Sequence, residues 1–484
     1  MSTPPPVARD LEAALGEDAV LWAPEDLLVY EYDATIDRGA PQAIAFPASA
    51  EDVVAILRVA REHGLPVTPR GAGTGLSGGA LAVRGGVIIA MNRMRRILSL
   101  DAEARTALVE PGVVNLELGQ EAARHGLAYA PDPSSQRACT IGGNIAENAG
   151  GPHTLALGTT TNHVLGVEFV DPTGAVHWLG GPTRDAPGYD LVGCVVGSEG
   201  TLGIVTKALV RLVPAPESVK TFLGIYDSVR QASNAVSAIV EAGIVPAALE
   251  MIDRVTIAAV EPVLKAGFPL DADAILLVEV DGPALQVAAE GEIVEDVLRQ
   301  YDPREIRTAT EPRDRELLWA GRKGAISALG HIKPNYYLLD GVVPRTQLPD
   351  VLATVYRVAA EYDFPVANVF HAGDGNLHPC LLFDEREPGI TDRVLEAGGE
   401  IMRACVDAGG AISGEHGIGL EKRSYRPWIF SDDDLGAMRQ LRSAFGADDD
   451  FNPCKIFPSG HGCGEGHGGH QQKQIAKFGA DAAI

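Results

Sequence analysis

The run His371-Ala-Gly-Asp374-Gly-Asn376-Leu-His378 sets two imidazoles on either side of a glycine-bent turn. It follows Val366-Ala-Asn-Val-Phe370, a short apolar stretch with β-branched residues, so the pattern predicts a strand feeding a tight loop. A second loop of small residues, Ser413-Gly-Glu415-His416-Gly-Ile-Gly419, adds a carboxylate and another imidazole. His371, His378 and Glu415 match the ligand number of a catalytic metal site that keeps one position open. Zinc or manganese suits such nitrogen and oxygen donors. His416 stands beside them as a general base, because an unperturbed imidazole titrates near neutral pH. Loop histidines satisfied by ordinary hydrogen bonds are the competing explanation. Four polar groups in two glycine-rich loops weigh against it.

A metal alone does not name a reaction, and the elements that must position it are more telling. The 484 residues are enough for two or three domains with large cores. With 46% hydrophobic and 22% charged residues, the composition is that of an ordinary globular protein. A net charge of −25 argues against nucleic acid or anionic membrane as a direct partner, and an anionic substrate would need local positive charge. No apolar run approaches bilayer length and the first residues lack a secretory pattern, so a cytoplasmic location is expected. The six cysteines are widely spaced, with no C-x-x-C pair, which excludes the usual iron–sulfur spacings on this chain.

In the first half, Ala43–Phe46 reads as a strand. Ser49-Ala-Glu-Asp52 opens a helix with Val53, Ile56, Leu57 and Ala60 on one face. Next comes Pro69-Arg70-Gly71-Ala72-Gly73-Thr74-Gly75-Leu-Ser77-Gly78-Gly79, with five glycines between 71 and 79. Such a backbone can turn successive N–H groups towards one ligand, and a pyrophosphate suits that nest. A second small-residue segment spans Pro131-Asp132 and Thr140-Ile-Gly-Gly143-Asn144-Ile-Ala146-Glu-Asn148. A hairpin is expected around Asp171–Gly174, and a third glycine-rich element, Glu199-Gly-Thr-Leu-Gly203-Ile204, leads into a long strand.

These three segments, in this order and spacing, resemble the FAD-binding domain of the vanillyl-alcohol oxidase type. With the His371 and Glu415 loops, Trp319–Lys323, Asp340-Gly341 and Phe451–Lys455, the chain resembles FAD-linked D-2-hydroxy-acid oxidases and dehydrogenases from about Pro41 to Pro458. The nearest resemblance is to the glycolate oxidase flavin subunits, with D-lactate and D-2-hydroxyglutarate dehydrogenases as close kin. The resemblance implies an FAD held without a covalent bond, although His153 and His163 could in principle anchor one. It implies that Pro69, Arg70, Gly71, Ala72, Gly73, Thr74 and Ser77 bind the pyrophosphate. Pro131, Asp132, Thr140, Gly143, Asn144, Ala146, Asn148, Glu199, Gly203 and Ile204 would wrap the flavin and ribityl, and Asn452 would touch the ring. It further implies an iron–sulfur partner subunit or a quinone as electron acceptor, with peripheral placement at the inner membrane through such partners.

An α+β fold is expected: a two-subdomain FAD-binding domain over 1–216, then an antiparallel-sheet cap for substrate and metal over 217–425. A C-terminal helical segment, 426–458, would return to the FAD domain, followed by a Gly/His-rich flexible tail, 459–484. In the cap, strands and helices alternate in a way that suits one sheet with helices on one face. Arg322 is the candidate clamp for a substrate carboxylate, by the bidentate geometry of guanidinium and carboxylate. A surface ion pair would be the plainer role, and Lys323 is the second choice. Where some relatives place further polar contacts this chain has Ile326 and Leu338, which favours small monocarboxylates. The expected activity is oxidation of glycolate or D-lactate to the 2-keto acid, with D-2-hydroxyglutarate as the alternative. A metal-dependent hydrolase leaves the three flavin-type loops without a purpose, and a non-catalytic subunit would be expected to lack both histidine loops.

Overall fold

The computed structural model describes residues 3–183, 188–309, 311–447 and 449–458. The Gly/His-rich stretch 459–484 lies outside the described residues. The chain forms two units: residues 1–150, 159–215 and 415–484 make one, and residues 151–158 and 216–414 make the other.

In the first unit the helix Ala50–Glu62 begins where Ser49 caps it, its Oγ accepting the Asp52 N–H at 3.2 Å. Val53, Ile56, Leu57 and Ala60 are buried along one face. Each large aliphatic side chain covered in this way contributes roughly 1.5–3 kcal/mol. That face joins a core with Val67, Val87 and Ile89. Ala43–Ala45 and Val67–Arg70 both pair in parallel with Val87–Ala90, and Val20–Leu21 adds an antiparallel edge. All four residues of Val87–Ala90 are buried, as befits a central parallel strand. A second, antiparallel sheet runs in the order Ile97–Asp101, Thr106–Val109, Ile204–Arg211, Val164–Val170, Val176–Gly180. The expected hairpin is there: Val164–Val170 and Val176–Gly180 pair around Asp171–Gly174. Near the end of the described chain, Phe451 bridges in parallel to Val67, and Asn452 N–H donates to the Val67 carbonyl at 2.8 Å. That seats Asn452 beside the strand that opens the first glycine-rich loop.

The second unit is built on a nine-stranded sheet with Ser218–Tyr226, Ala274–Gly282, Ala248–Asp253 and Val366–His371 as successive neighbours, all antiparallel. Leu249, Met251, Leu276, Val278 and Phe370 share one core with side chains from the helices Val229–Glu241, Ala284–Arg299 and Leu348–Glu361. Successive strand residues face opposite ways, so Glu250 and His371 point to the other side of the sheet. The expectation of helices on one face alone needs correcting here. The helix Pro312–Lys323 lies on the Glu250 side, because Arg322 reaches Glu250 and Trp319 reaches Glu279. Among the described residues no helix is long and apolar enough to cross a membrane.

Candidate active site

In the second unit the chemistry gathers on the polar face of the sheet. Glu250 and His371 are direct cross-strand partners. His371 ends its strand and pairs with Asn376 across the turn Ala372–Gly375. That turn admits only glycine at 375: φ is +78°, and a Cβ would overlap the Val343 carbonyl oxygen. The chain doubles back at once and brings the His378 ring within 5.2 Å of the His371 ring, centroid to centroid, nearly edge to face. Both histidines are buried.

Glu250 is fully buried in an apolar strand, yet its carboxylate has three polar neighbours. Oε1 is 2.7 Å from His371 Nδ1. Oε2 accepts from Arg322 Nε at 2.6 Å and pairs with Nη2 at 2.6 Å. Burial would raise its pKa, but the adjacent Arg322 and His371 prevail and hold it below the ordinary carboxylate range. Arg322 is itself 2% exposed, so the surface ion pair considered from sequence is instead a buried one. Nearby, fully buried Asp340 takes the Ser413 hydroxyl at 2.7 Å and the Gly414 N–H at 3.0 Å through Oδ2. Its Oδ1 lies 3.5 Å from His378 Nε2. Gly414 is the last residue of this unit, and Glu415 and His416 follow it directly at the start of the returning segment.

In the first unit, Pro69 and Arg70 end a strand and the glycine loop begins. The Arg70 guanidinium donates to the carbonyls of Tyr32 and Ala80. Gly73 has φ +70°, and a Cβ there would collide with that guanidinium. Ser77 Oγ donates to Glu147 at 3.1 Å. Thr140 caps the short helix Ile141–Glu147 by accepting the Gly143 N–H at 3.2 Å. Asn144 and the Pro131 carbonyl are both tied to Asn115. Glu199 N–H donates to the Ala146 carbonyl at 2.7 Å, while its side chain accepts Ile418 N–H at 2.7 Å and Gly419 N–H at 2.5 Å. Asn452 Nδ2 donates to the carbonyls of Gly79 and Glu199. The pyrophosphate-type loop, the second and third glycine-rich segments, the returning tail and the residues after His416 therefore meet in one unit. Burial pushes the Glu147 and Glu199 carboxyls up, Glu147 further because Glu199 is near it, and burial lowers Lys455 to about 8.

Residues 41–180 match the FAD binding domain family, and residues 215–456 match the family described as FAD linked oxidases, C-terminal domain. Glycolate oxidase subunit GlcD of Escherichia coli is 45% identical over 447 residues, which is 92% of this chain and 90% of that protein. The chain belongs to the FAD-linked oxidases. A D-lactate dehydrogenase of Anaerostipes hadrus is 33% identical to this FAD-linked oxidase over 87% of this chain and 91% of its own length. A 4-ethylphenol oxidase from Gulosibacter chungangensis superimposes with TM-score 0.77 at 19% identity, covering 94% of this chain and 97% of that one. That likeness shows the vanillyl-alcohol-oxidase type of fold, as expected from the sequence.

The residues of this FAD-linked oxidase suit the cofactor. Among the described residues, the N–H groups of Ala72 to Leu76 donate to no protein acceptor, a run of donors at the place expected for a pyrophosphate. Asn452 Oδ1 is buried with no hydrogen-bond partner among them. Within the second unit, His371 also suits a divalent ion. Glu250 at Nδ1 of His371 leaves the ring's lone pair at Nε2, the arrangement usual for a metal-bound imidazole. Sequence reasoning gave no site role to Glu250 or Glu147, and none to Asp340 beyond its place in the resemblance. The one legible signal was a lone acid inside the apolar run Ala247-Ala-Leu-Glu250-Met-Ile252.

Proposed function

We propose that this FAD-linked oxidase oxidises a small 2-hydroxy acid, glycolate or D-lactate, to its 2-keto acid. One observation carries the reading: one buried carboxylate, Glu250, is bonded to both an imidazole, His371, and a guanidinium, Arg322, with the His378 ring packed edge to face on His371. The names of the relatives, a glycolate oxidase subunit and a D-lactate dehydrogenase, support the substrate class.

Arg322 binds the substrate carboxylate. Glu250 accepts its Nε–H and ion-pairs with Nη2, and Nη1 has no protein acceptor among the described residues. His371, His378 and Glu415 would hold a divalent ion, zinc or manganese, which would supply the Lewis acidity that lowers the pKa of the substrate hydroxyl. His416 removes the hydroxyl proton. The loops around Gly73, Thr140, Glu199 and Asn452 would hold the FAD, which would supply the hydride acceptor for the C2 hydrogen. With no cluster-type cysteine spacing on this chain, the electrons pass on to a partner subunit or a quinone, which would draw the protein to the periphery of a membrane.

The test is an anaerobic panel of glycolate, D-lactate, L-lactate and D-2-hydroxyglutarate read at the flavin band. Bleaching by a small acid is expected. Glycolate and lactate differ by one methyl, worth only about 1–3 kcal/mol in an apolar pocket, so both should react to some degree. A yellow protein that none of the four acids bleaches refutes the proposal.

A further inference from the structure

Glu250 is hard to explain as a stabilising residue. Its neighbours in the strand, Leu249, Met251 and Ile252, are apolar and buried, and on its own face its carboxylate is bonded, among the described residues, only to the buried Arg322 and His371. Replacing a buried ion pair with well-packed apolar groups is often neutral or stabilising. What an apolar residue could not do is present two oxygens in different directions. Oε1 meets His371 Nδ1, and Oε2 meets the Nε–Nη2 edge of Arg322. His371 arrives from the neighbouring strand and Arg322 from the helix Pro312–Lys323, and no other described side chain is bonded to both.

We infer that Glu250 is the positioning residue of the site, fixing the ring of His371 and the fork of Arg322 with one carboxylate so that the metal arm and the substrate arm share a common origin. This inference rests on the roles proposed above for His371 and Arg322. On the metal arm, a carboxylate at Nδ1 holds the proton there and directs Nε2 to the ion. On the substrate arm, holding Nε and Nη2 turns Nη1 outward and removes the rotamer freedom that a long side chain would otherwise lose on binding. A change at Glu250 should therefore disturb ion affinity and substrate KM together, although the residue touches neither ligand.

The experiment uses the full-length, FAD-loaded protein with Glu250→Gln and Glu250→Asp. Zn2+ and Mn2+ affinity is measured by equilibrium dialysis, KM and kcat on the best acid of the panel, and FAD content by absorbance. Glu250→Gln presents an amide donor to one of two donors. It should weaken ion binding about 10- to 100-fold, the usual effect of losing a carboxylate behind a ligating histidine. KM should rise in the same variant, with FAD content unchanged. Glu250→Asp keeps the charge but shortens the reach, so it should restore part of one function and less of the other. If Glu250→Gln fails to fold, Glu250→Asp carries the comparison. A wild-type protein that takes up either ion, with both variants binding it equally tightly, overturns the inference alone. A wild-type protein that takes up neither ion overturns the metal reading and this inference with it.

Discussion

Glu199 offers the sharpest single perturbation of the first unit. Its two carboxylate oxygens take the N–H groups of Ile418 and Gly419, the residues that follow the His416 loop, and it is 5% exposed. Glu199→Gln keeps the shape but leaves one acceptor oxygen for two donors, and its amide faces the other N–H. A hydrogen bond to a charged group contributes about 1.5–3 kcal/mol, and a buried donor left without a partner costs about 1–3 kcal/mol. The gross loss is then about 2.5–6 kcal/mol. Part is recovered, because burial already makes the charged form of Glu199 unfavourable and the neighbouring Glu147 is relieved of a like charge. A net loss of about 2–4 kcal/mol remains, enough to let the 416–419 loop leave its position. Each 1.4 kcal/mol not recovered on substrate binding lowers the rate tenfold, so a fall of about ten- to several-hundred-fold is expected. Stopped-flow anaerobic reduction of bound flavin gives that rate directly, and absorbance gives FAD retention. Wild-type reduction kinetics in Glu199→Gln with full FAD occupancy would refute the claim that this carboxylate holds the loop.

Three other outcomes are expected. His416→Gln should slow flavin reduction by about 100- to 10,000-fold with FAD and metal content intact, the span for losing a general base; stopped-flow reduction checks it. Gly375→Ala forces a Cβ against the Val343 carbonyl at positive φ, and by left-handed strain and overpacking should cost about 2–5 kcal/mol, read as a lower Tm. Burial would raise the Glu279 carboxyl, but Arg315, His153 and Thr221 overcome this and hold it well below its ordinary value. Its stabilising contribution is thus fully present above the unfolded-state pKa of about 4.3 and is lost as pH falls below it. Urea unfolding at stepped pH should show wild type losing its advantage over Glu279→Gln on the acid side, and parallel curves would contradict this.

Short-range signals in the chain were readable. Ser49 and Asp52 are three positions apart, and Ser49 Oγ caps the helix by accepting the Asp52 N–H, while the Asp52 carboxylate takes the Ala48 N–H instead of reaching back to Ser49. The turn at Asp171–Gly174 is equally local, and the strand up to His371 followed from its β-branched run. What could not be read was register. Glu250 and His371 face each other across 121 positions, and that pairing depends on which strands become neighbours, a matter of global topology. Arg322 was picked out by residue type and resemblance, but its anchoring partner was invisible for the same reason. The side of the sheet taken by the helix Pro312–Lys323 was likewise undetermined, because an acidic residue such as Glu279 in an apolar strand does not announce which helix will cover it.

The bridge from Phe451 to Val67 has a consequence for biogenesis. The first unit is completed by a strand-like segment made after residues 216–414, which form an uninterrupted stretch of the other unit. Contacts so distant along the chain form late, after nearer ones are in place. During synthesis the second unit can thus mature while the first waits for its late segment. Ribosome-arrested chains ending before Asn452 should therefore protect the 216–414 region from protease yet fail to retain FAD, and retention by such a chain would show that the late segment is dispensable for capture.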